Sequence, residues 1–230
     1  MSMEPNSVAY IFTSNKWSDW LAHKYLAAER RSSRSLNSAW AVGERYWTYK
    51  RPPPGLSREQ MIAVTTYTVG QPRFYAEFNE EIRSWGKDLR TYNICFRFKS
   101  FHYLLSTALV KLRNLQANLI RPQLYRGLGI ALTANQNHEV RFGRYTSTSA
   151  NKAKAEKFGK GTLFDLRSSL AVSISQWSVF PNEKEWLIPP HEVFKVRRFR
   201  RNWNRSKITL QLSRSRATKL VLHVCKLVFF

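Results

Sequence analysis

Hydrophobic residues recur at helical spacing through the first half of the chain. In segment 16–31 they lie three and four positions apart, the pattern of a helix with one buried face. The apolar positions there are Trp17, Trp20, Leu21, Tyr25 and Leu26. After a rigid break at 52–55, Ser57 and Gln60 form the capping-box pattern of a helix start. The same spacing predicts helices over 57–69, about 73–85 and about 99–115.

The second half has short alternating or wholly apolar runs separated by turn residues, which is typical of strands. One short helix, about 151–158, interrupts them. The predicted strands are 123–127, 139–147, 162–167, 171–175, 184–188, 192–196, 207–212 and 220–229. Helices followed by strands indicate an α+β fold, with an N-terminal helical region packed on a mixed or antiparallel β-sheet. We predict a single domain over 1–230, mainly helical to about 115 and mainly β from about 120.

Positive charge is the strongest compositional feature. The formal net charge is +23 at pH 7, from 38 Lys and Arg against 15 Asp and Glu. Such an excess attracts nucleic acid and other polyanions, at least without specificity. Ten basic residues lie within 195–219, and no Asp or Glu follows Glu192. Arginine interleaved with aromatics suits single-stranded nucleic acid, while a solvated basic loop between two strands is the alternative.

Targeting features are sparse. The sequence contains no run of about 18 apolar residues, so it predicts no membrane-spanning helix. Residues 1–6 lack the basic region and apolar core of a signal peptide, and no lipid-anchor tail is visible. Cys95 and Cys225 could form one disulfide or remain two thiols, and the sequence does not decide between these states. We predict no metal site.

Acidic residues are scarce, so two of them one residue apart need a reason. Glu183 and Glu185 precede the apolar run 186–190. On an extended strand, residues i and i+2 point to the same face. Both carboxylates would then share one space, where they repel each other, and Lys184 would point to the opposite face. A solvated turn, with a Pro-Asn pair just before it, is the alternative.

Two further patterns occur at predicted strand ends. Arg126 is followed by Gly127. Arginine offers a planar fork of donors suited to phosphate, and glycine permits close backbone approach to a ligand. A hydroxyl cluster that includes Ser147 ends the strand predicted over 139–147. Hydroxyls can orient a ribose or a carboxylate, although Ser and Thr at a strand end also satisfy turns.

Arginine, Ser-Thr-Ser and Glu-x-Glu, in this order and each at a strand, are more specific together than separately. In this arrangement the chain resembles the arginine-specific mono-ADP-ribosyltransferases of vertebrate cell surfaces, which are related in fold to clostridial toxins. The three-part signature of that family falls on Arg126, Ser147 and Glu185. The resemblance covers most of the chain, including segments 52–57, 75–79, 140–143, 158–159, 180–190 and 193–196.

The resemblance implies an NAD-dependent enzyme, with NADP as a further candidate, that transfers ADP-ribose to arginine side chains of acceptor proteins and releases nicotinamide. It assigns Glu185 to the ribose cation and Glu183 to arginine acceptance. Ser147 would orient Glu185 and line the NAD pocket. The other implied NAD contacts are Tyr75, Arg126, Gly127, Phe158 and Ser178. For Tyr75 and Ser178, core packing and a turn hydroxyl respectively are the alternatives.

Three functions therefore compete. The first is an arginine-specific transferase with some NAD glycohydrolase activity. The second is a catalytically weak relative that works as a binding protein, and the third is a nucleic-acid or polyanion module that uses segment 195–219. The resemblance also implies a secreted or cell-surface protein, although no signal peptide is visible. The family commonly joins an N-terminal cysteine to one near the position of Cys225, and here only Cys95 could replace that N-terminal partner.

Overall fold

The computed structural model describes residues 10–213 and the backbone of 222–223, and the helices fill the first half of that part. Their bounds are α1 (Lys16–Ser32), α2 (Arg34–Tyr46), α3 (Arg58–Tyr67), α4 (Phe74–Trp85), α5 (Leu89–Cys95) and α6 (Lys99–Leu115). The capping box predicted at Ser57 is present: Ser57 Oγ accepts from Gln60 N, and Gln60 Oε1 accepts from Ser57 N. None of the described helices combines the length and apolar character needed to cross a bilayer.

The strands follow, with one helix among them. They are β1 (Tyr10–Ile11), β2 (Leu124–Leu128), β3 (Glu139–Val140), β4 (Thr146–Ser149), β5 (Thr162–Leu166), β6 (Val172–Ser173), β7 (Glu185–Ile188), β8 (Phe194–Asn202), β9 (Arg205–Leu212) and β10 (Leu222–His223), with α7 (Lys152–Lys157) after β4. The α+β prediction is confirmed. Most of the strand predicted over 220–229, with Cys225, lies outside the described residues.

Among the described residues, eight strands form one mixed sheet in the order β3-β8-β9-β5-β2-β4-β7-β6. The β5–β9 pair is parallel and the other neighbours are antiparallel. A separate two-stranded parallel pair joins β1 to β10. The sheet therefore matches the predicted mixed type.

Two apolar cores lie on opposite faces of the sheet. Leu187 of β7 packs into a cluster made mainly by the helices, whereas its neighbours Trp186 and Ile188 pack into a cluster made by the strands. This is the two-residue alternation of a strand buried on both faces. Glu185 has the same parity as Leu187, so it lies on the helix side of the sheet.

Two sequence predictions about strand bounds are wrong. The strand predicted over 139–147 is two strands, because Gly143 adopts φ +66° between them and breaks the extended backbone. The described part of segment 195–219 is not a basic loop between short strands. It belongs to a long hairpin, β8–β9, whose turn is formed by Trp203 and Asn204.

Two helices were not predicted, α2 and α5. Helix α2 begins after Ser33, whose hydroxyl accepts from Leu36 N, and it buries Leu36, Trp40 and Gly43. That spacing is present in the sequence, so the signal was available. Helix α5 has seven residues, of which only Tyr92 is buried. A helix this short does not show a hydrophobic period in the sequence.

Candidate active site

A cleft lies between the helical half and the β2–β4–β7 part of the sheet. Its volume is about 550 Å³, within the range of roughly 300–1,000 Å³ usual for small-molecule sites. Seven of the eight predicted site residues line it: Tyr75, Arg126, Gly127, Ser147, Phe158, Glu183 and Glu185. Residues separated by more than 100 positions are thus brought to one space.

Strand pairing places Glu185 at the floor of the cleft. Glu185 pairs with Ser149 of β4, and Leu187 pairs with Ser147. The Glu185 carbonyl accepts from Ile174 N at 3.0 Å. Glu185 is only 7% exposed. Its carboxylate is therefore held on a rigid element with little freedom to move.

Burial raises the pKa of Glu185 to about 7. A hydrogen bond from Ser147 opposes the rise, the negative charge of Glu183 adds to it, and the positive charge of Arg126 opposes it. Desolvation disfavours an ionised carboxylate, and a like charge nearby does so too. Such a shifted carboxyl in a cleft is typical of a functional group.

Arg126 connects two strands at the edge of the same cleft. Its Nη1 donates to the Ser147 carbonyl at 2.7 Å. Burial lowers the pKa of Arg126, and the nearby Arg144 lowers it further. The guanidinium remains charged at neutral pH, so Arg126 is a fixed cation beside Glu185.

Glu183 is not on a strand, which corrects the sequence prediction. It ends a short 3₁₀ helix, Pro181–Glu183, and Lys184 follows in the left-handed region at φ 49°. The strand begins only at Glu185. The prediction that Lys184 points to the opposite face of a strand therefore does not apply. Lys184 is exposed and is not among the residues that line the cleft.

The turn that holds Glu183 is fastened to β4. Ser149 Oγ donates to the Glu183 carbonyl at 2.6 Å, and Ala150 N donates to the Lys184 carbonyl at 3.3 Å. Partial burial raises the pKa of Glu183, while Lys154 opposes the rise. The two carboxylates therefore share the cleft, as predicted, but by way of a turn and a strand rather than by strand alternation.

Gly127 is required by packing against α7. A Cβ at this position would fall well inside contact distance of the Ala155 and Gly159 carbonyl oxygens. The sequence predicts close approach of the Gly127 backbone to a ligand. In the structure the group packed closely on Gly127 is the end of α7. The contact fixes the end of α7, where Phe158 is 63% exposed and lines the cleft.

Ser178 does not reach the cleft. The residue is buried, and its hydroxyl accepts from Phe180 N at 3.0 Å. Phe180 itself lines the cleft. Ser178 thus shapes the turn that leads to Glu183, and the alternative of a turn hydroxyl explains it.

Sequence reasoning missed cleft residues contributed by the helical half. The Tyr67 hydroxyl donates to the Tyr145 carbonyl at 3.0 Å and accepts from Asn79 Nδ2 at 2.9 Å. Tyr67 also interacts with the Ser147 hydroxyl, and burial is the main cause that raises its pKa. In the sequence Tyr67 is one apolar position on a helix, and nothing there distinguishes it from core.

The structure thus brings a carboxylate on a strand, a second carboxylate on a turn, an arginine and a serine around one cleft. A family model for NAD:arginine ADP-ribosyltransferases matches residues 13–218. The chain belongs to this family.

Individual relatives agree with that assignment. Human ecto-ADP-ribosyltransferase 5 is 36% identical over 183 residues, covering 76% of this chain and 63% of the relative. Chicken NAD(P)(+)--arginine ADP-ribosyltransferase 1 is 35% identical over 212 residues, covering 88% of this chain and 66% of the relative. The chain thus spans just under two thirds of the length of these two curated relatives.

Solved structures match over nearly the whole chain. The eucaryotic mono-ADP-ribosyltransferase ART2.2 superposes with a TM-score of 0.75 at 24% identity, covering 94% of this chain and 96% of that one. A mutant of ART2.2 in complex with NADH gives a TM-score of 0.75 at 26% identity, covering 91% and 92%. The architecture of this chain is that of the ART2.2 fold.

Proposed function

We propose that this chain transfers ADP-ribose from NAD to arginine side chains and releases nicotinamide. The observation that carries the proposal is the meeting of Glu183, Glu185, Arg126 and Ser147 in one cleft. In this reaction the bond from the ribose C1′ to the nicotinamide nitrogen breaks, and nicotinamide leaves with the electron pair. A guanidinium nitrogen of the acceptor then bonds to C1′ and loses one proton.

Glu185 is proposed as the catalytic residue for bond cleavage. The ribose carbon gains positive charge as nicotinamide leaves, and a fixed carboxylate in a water-poor cleft stabilises that charge far better than water does. The Ser147 hydrogen bond supports this role by favouring the ionised form. Glycoside hydrolysis makes the same demand on its carboxylates.

Glu183 is proposed to receive the acceptor. A guanidinium is protonated in water, so it needs a carboxylate to position it and to assist proton removal. Glu183 lies more open to solvent than Glu185, as a group that meets an incoming side chain should. Where water takes the place of the acceptor, the same cleavage gives NAD hydrolysis as a side reaction.

The remaining cleft residues fit NAD as the donor. Arg126 offers donors to phosphate or ribose, and Tyr75 and Phe158 offer aromatic faces to the nicotinamide or adenine rings. NADP is proposed as a second donor, since some relatives carry NAD(P)(+) in their names. The described residues contain no cluster of three or more His, Cys, Asp or Glu that could hold a metal.

Polyanion binding by 195–219 is retained as a second function. It is supported by the exposed Arg and Lys of the β8–β9 hairpin. This function predicts binding with a steep salt dependence and no need for Glu185. We further propose that the protein works outside the cell, since relatives are named as ecto- and GPI-linked enzymes; surface labelling of intact cells that express the native gene tests this location.

One assay tests the proposed reaction. The purified chain is incubated with labelled NAD and agmatine, a small arginine analogue, and adduct and free nicotinamide are measured separately. Adduct formation that depends on both Glu185 and Glu183 supports transfer. Nicotinamide release without adduct leaves only a hydrolase, and neither product from folded protein excludes the enzyme in favour of a binding function.

A further inference from the structure

A second, strongly basic depression lies beside the cleft. Its volume is about 630 Å³. We call it the basic groove; its lining is Glu156, Gly159, Lys160, Leu163, Arg200, Arg201, Asn202, Arg205, Ser206 and Lys207. Five of these residues are cationic and one is acidic. The groove lies between the end of α7 and the tip of the β8–β9 hairpin.

Cross-strand pairing connects the groove to the cleft. Arg200 pairs with Lys207, Lys207 with Leu163, and Leu163 with Gly127. Residues directly opposite on neighbouring strands share a face, so these four form one row across β8, β9, β5 and β2. The row starts in the basic groove and ends at Gly127, which lines the cleft.

The spacing of this row sets a length. Neighbouring strands lie about 4.8 Å apart, so Lys207 is about 10 Å and Arg200 about 14 Å from Gly127. An extended peptide advances about 3.3 Å per residue, so about three to five residues cover the straight distance. The end of α7 packs on Gly127 and makes the path around it longer, so the reach is about three to six residues. A segment bound in the groove is thus close enough in sequence to present its own arginine to the cleft.

Most of the groove cations are available to a ligand. Glu156 is paired with Lys152 at 3.6 Å, and Asp165 with Lys207 at 2.7 Å. Among the described residues, no carboxylate lies within ion-pair distance of Lys160, Arg200, Arg201 or Arg205. Arginine forks on a groove wall suit bidentate contacts to carboxylates.

The lining favours a peptide over nucleic acid. Single-stranded nucleic acid is normally held by bases stacked on aromatic rings along a cationic track, and none of the described residues that line the groove is aromatic. Trp203 is 92% exposed at the hairpin turn but lies outside the lining. Phe199 packs against the strand-side core. The groove therefore offers charge and a Leu163 floor, without a stacking platform.

We propose that the basic groove binds an acidic segment of the protein acceptor and thereby selects arginines that have Asp or Glu three to six residues away. The inference rests on the proposed transferase function and specifies its substrate class. An isolated acceptor guanidinium approaches a protein of net charge +23 against repulsion. An acidic segment in the groove reverses that repulsion and holds the arginine near Glu183.

Single-arginine peptides test the proposal. One has four acidic residues starting three positions from the arginine, on either its N- or C-terminal side; a second has serines there; a third has the acids twelve positions away. With wild type, kcat/KM for one of the near-acid peptides should exceed that for the serine peptide by about tenfold, as several exposed ion pairs allow. The far-acid peptide should behave like the serine peptide.

The groove variant is Arg200→Ser with Arg205→Ser, and the matched control is Arg34→Ser with Arg51→Ser, two exposed arginines of the helical half. The groove variant should lose the tenfold preference and modify agmatine as wild type does, while the control keeps the preference. Equal kcat/KM for acidic and serine peptides in wild type overturns the proposal, and so does a preference that survives in the groove variant.

Two further measurements separate this inference from the proposed reaction. If wild type does not modify agmatine, the transferase function has failed, and the groove is then tested by anisotropy with a labelled acidic peptide. Binding that the groove variant loses supports the groove; equal binding by both proteins refutes it. Binding of a single-stranded oligonucleotide that outcompetes the acidic peptide, and is lost in the groove variant, assigns the groove to nucleic acid and overturns the proposal.

Discussion

Charged residues lie on the same face of the eight-stranded sheet near its two ends, but they are buried at one end and exposed to solvent at the other. At the β4–β7 end the helices cover the sheet, and burial raises the pKa of Glu185 to about 7. At the β8–β9 end no described helix covers the sheet, and Arg200 and Lys207 are exposed. One face thus contains a shielded site, where a single charge has a large effect, and an open surface, where many charges have small ones.

The difference is one of solvent access. In a low-dielectric site each charge interacts strongly with its neighbours and is costly to create. On the open surface, water and salt screen each charge within about 10 Å at 0.1 M ionic strength. The cleft is therefore suited to chemistry and the hairpin to attraction and selection.

The largest expected effect comes from Glu185→Gln. This change keeps the size of the side chain and removes the charge that is proposed to stabilise the ribose cation, so transfer to agmatine and NAD hydrolysis should both fall by at least about 10²–10³-fold. Nicotinamide release measured by chromatography checks both rates. Full hydrolysis by this variant would remove Glu185 from the chemistry.

Glu183→Gln should separate the two reactions. Transfer to agmatine should fall by about 10²-fold, the usual contribution of a general base, while NAD hydrolysis persists because Glu185 remains. The ratio of adduct to free nicotinamide measures the change. Lys184→Gln, one residue along and outside the cleft lining, is the control and should leave this ratio unchanged. An agmatine rate equal to that of wild type contradicts the role given to Glu183.

The burial of Glu185 should also affect the free energy of unfolding. The folded-state pKa of Glu185, about 7, lies above its ordinary value of 4.5, so its contribution to the free energy of unfolding becomes less favourable as pH rises from about 4.5 to about 7. Above that range Glu185→Gln should stabilise the protein by on the order of 3 kcal/mol. Below pH 4.5 the difference should vanish. Thermal melts of both proteins from pH 4 to pH 8.5 measure it.

Glu80→Gln is the control for these melts. Arg83 lowers the pKa of Glu80, which is exposed, so its removal should have the opposite sign and a small size. Equal shifts for both variants at pH 8 would show that burial is not the cause at Glu185.

Salt should produce the smallest effect. Raising NaCl from 0.05 to 0.5 M, values chosen to shorten the screening length severalfold, should reduce the preference for the near-acid peptide. NAD hydrolysis at saturating NAD, where attraction of this anion to the basic protein no longer limits the rate, should change less than about twofold because burial shields Glu185 from salt. Parallel rate measurements across the salt series check the contrast, and a preference that resists salt would argue against exposed ion pairs as its source.

Local signals predicted much of the helical half. Helix α6 was predicted with the bounds it has, because its apolar positions keep a strict helical period. The capping box at Ser57 fixed the start of α3. Bounds failed where one backbone angle decided them, as at Gly143 and Lys184. Periodicity has no information about a single residue in the left-handed region.

The site was only partly predictable. Arg126, Ser147, Glu183 and Glu185 could be found because their patterns, taken together and in this order, resemble those of a known family, although each pattern alone is weak. Tyr67 and Asn79 could not, since their place beside Ser147 and Tyr145 depends on how α3 and α4 pack on the sheet. Such long-range packing leaves no local pattern in the sequence.

The two carboxylates lie on different elements that meet at Ser149, and this arrangement has an evolutionary consequence. Glu185 belongs to the ladder between β4 and β7, whereas Glu183 belongs to a three-residue helix fastened by Ser149. Under the proposed roles, substitutions in the turn can alter which nucleophile is accepted without disturbing the strand that cleaves NAD. Acceptor range can therefore diverge among descendants of one ancestor while donor chemistry stays constant.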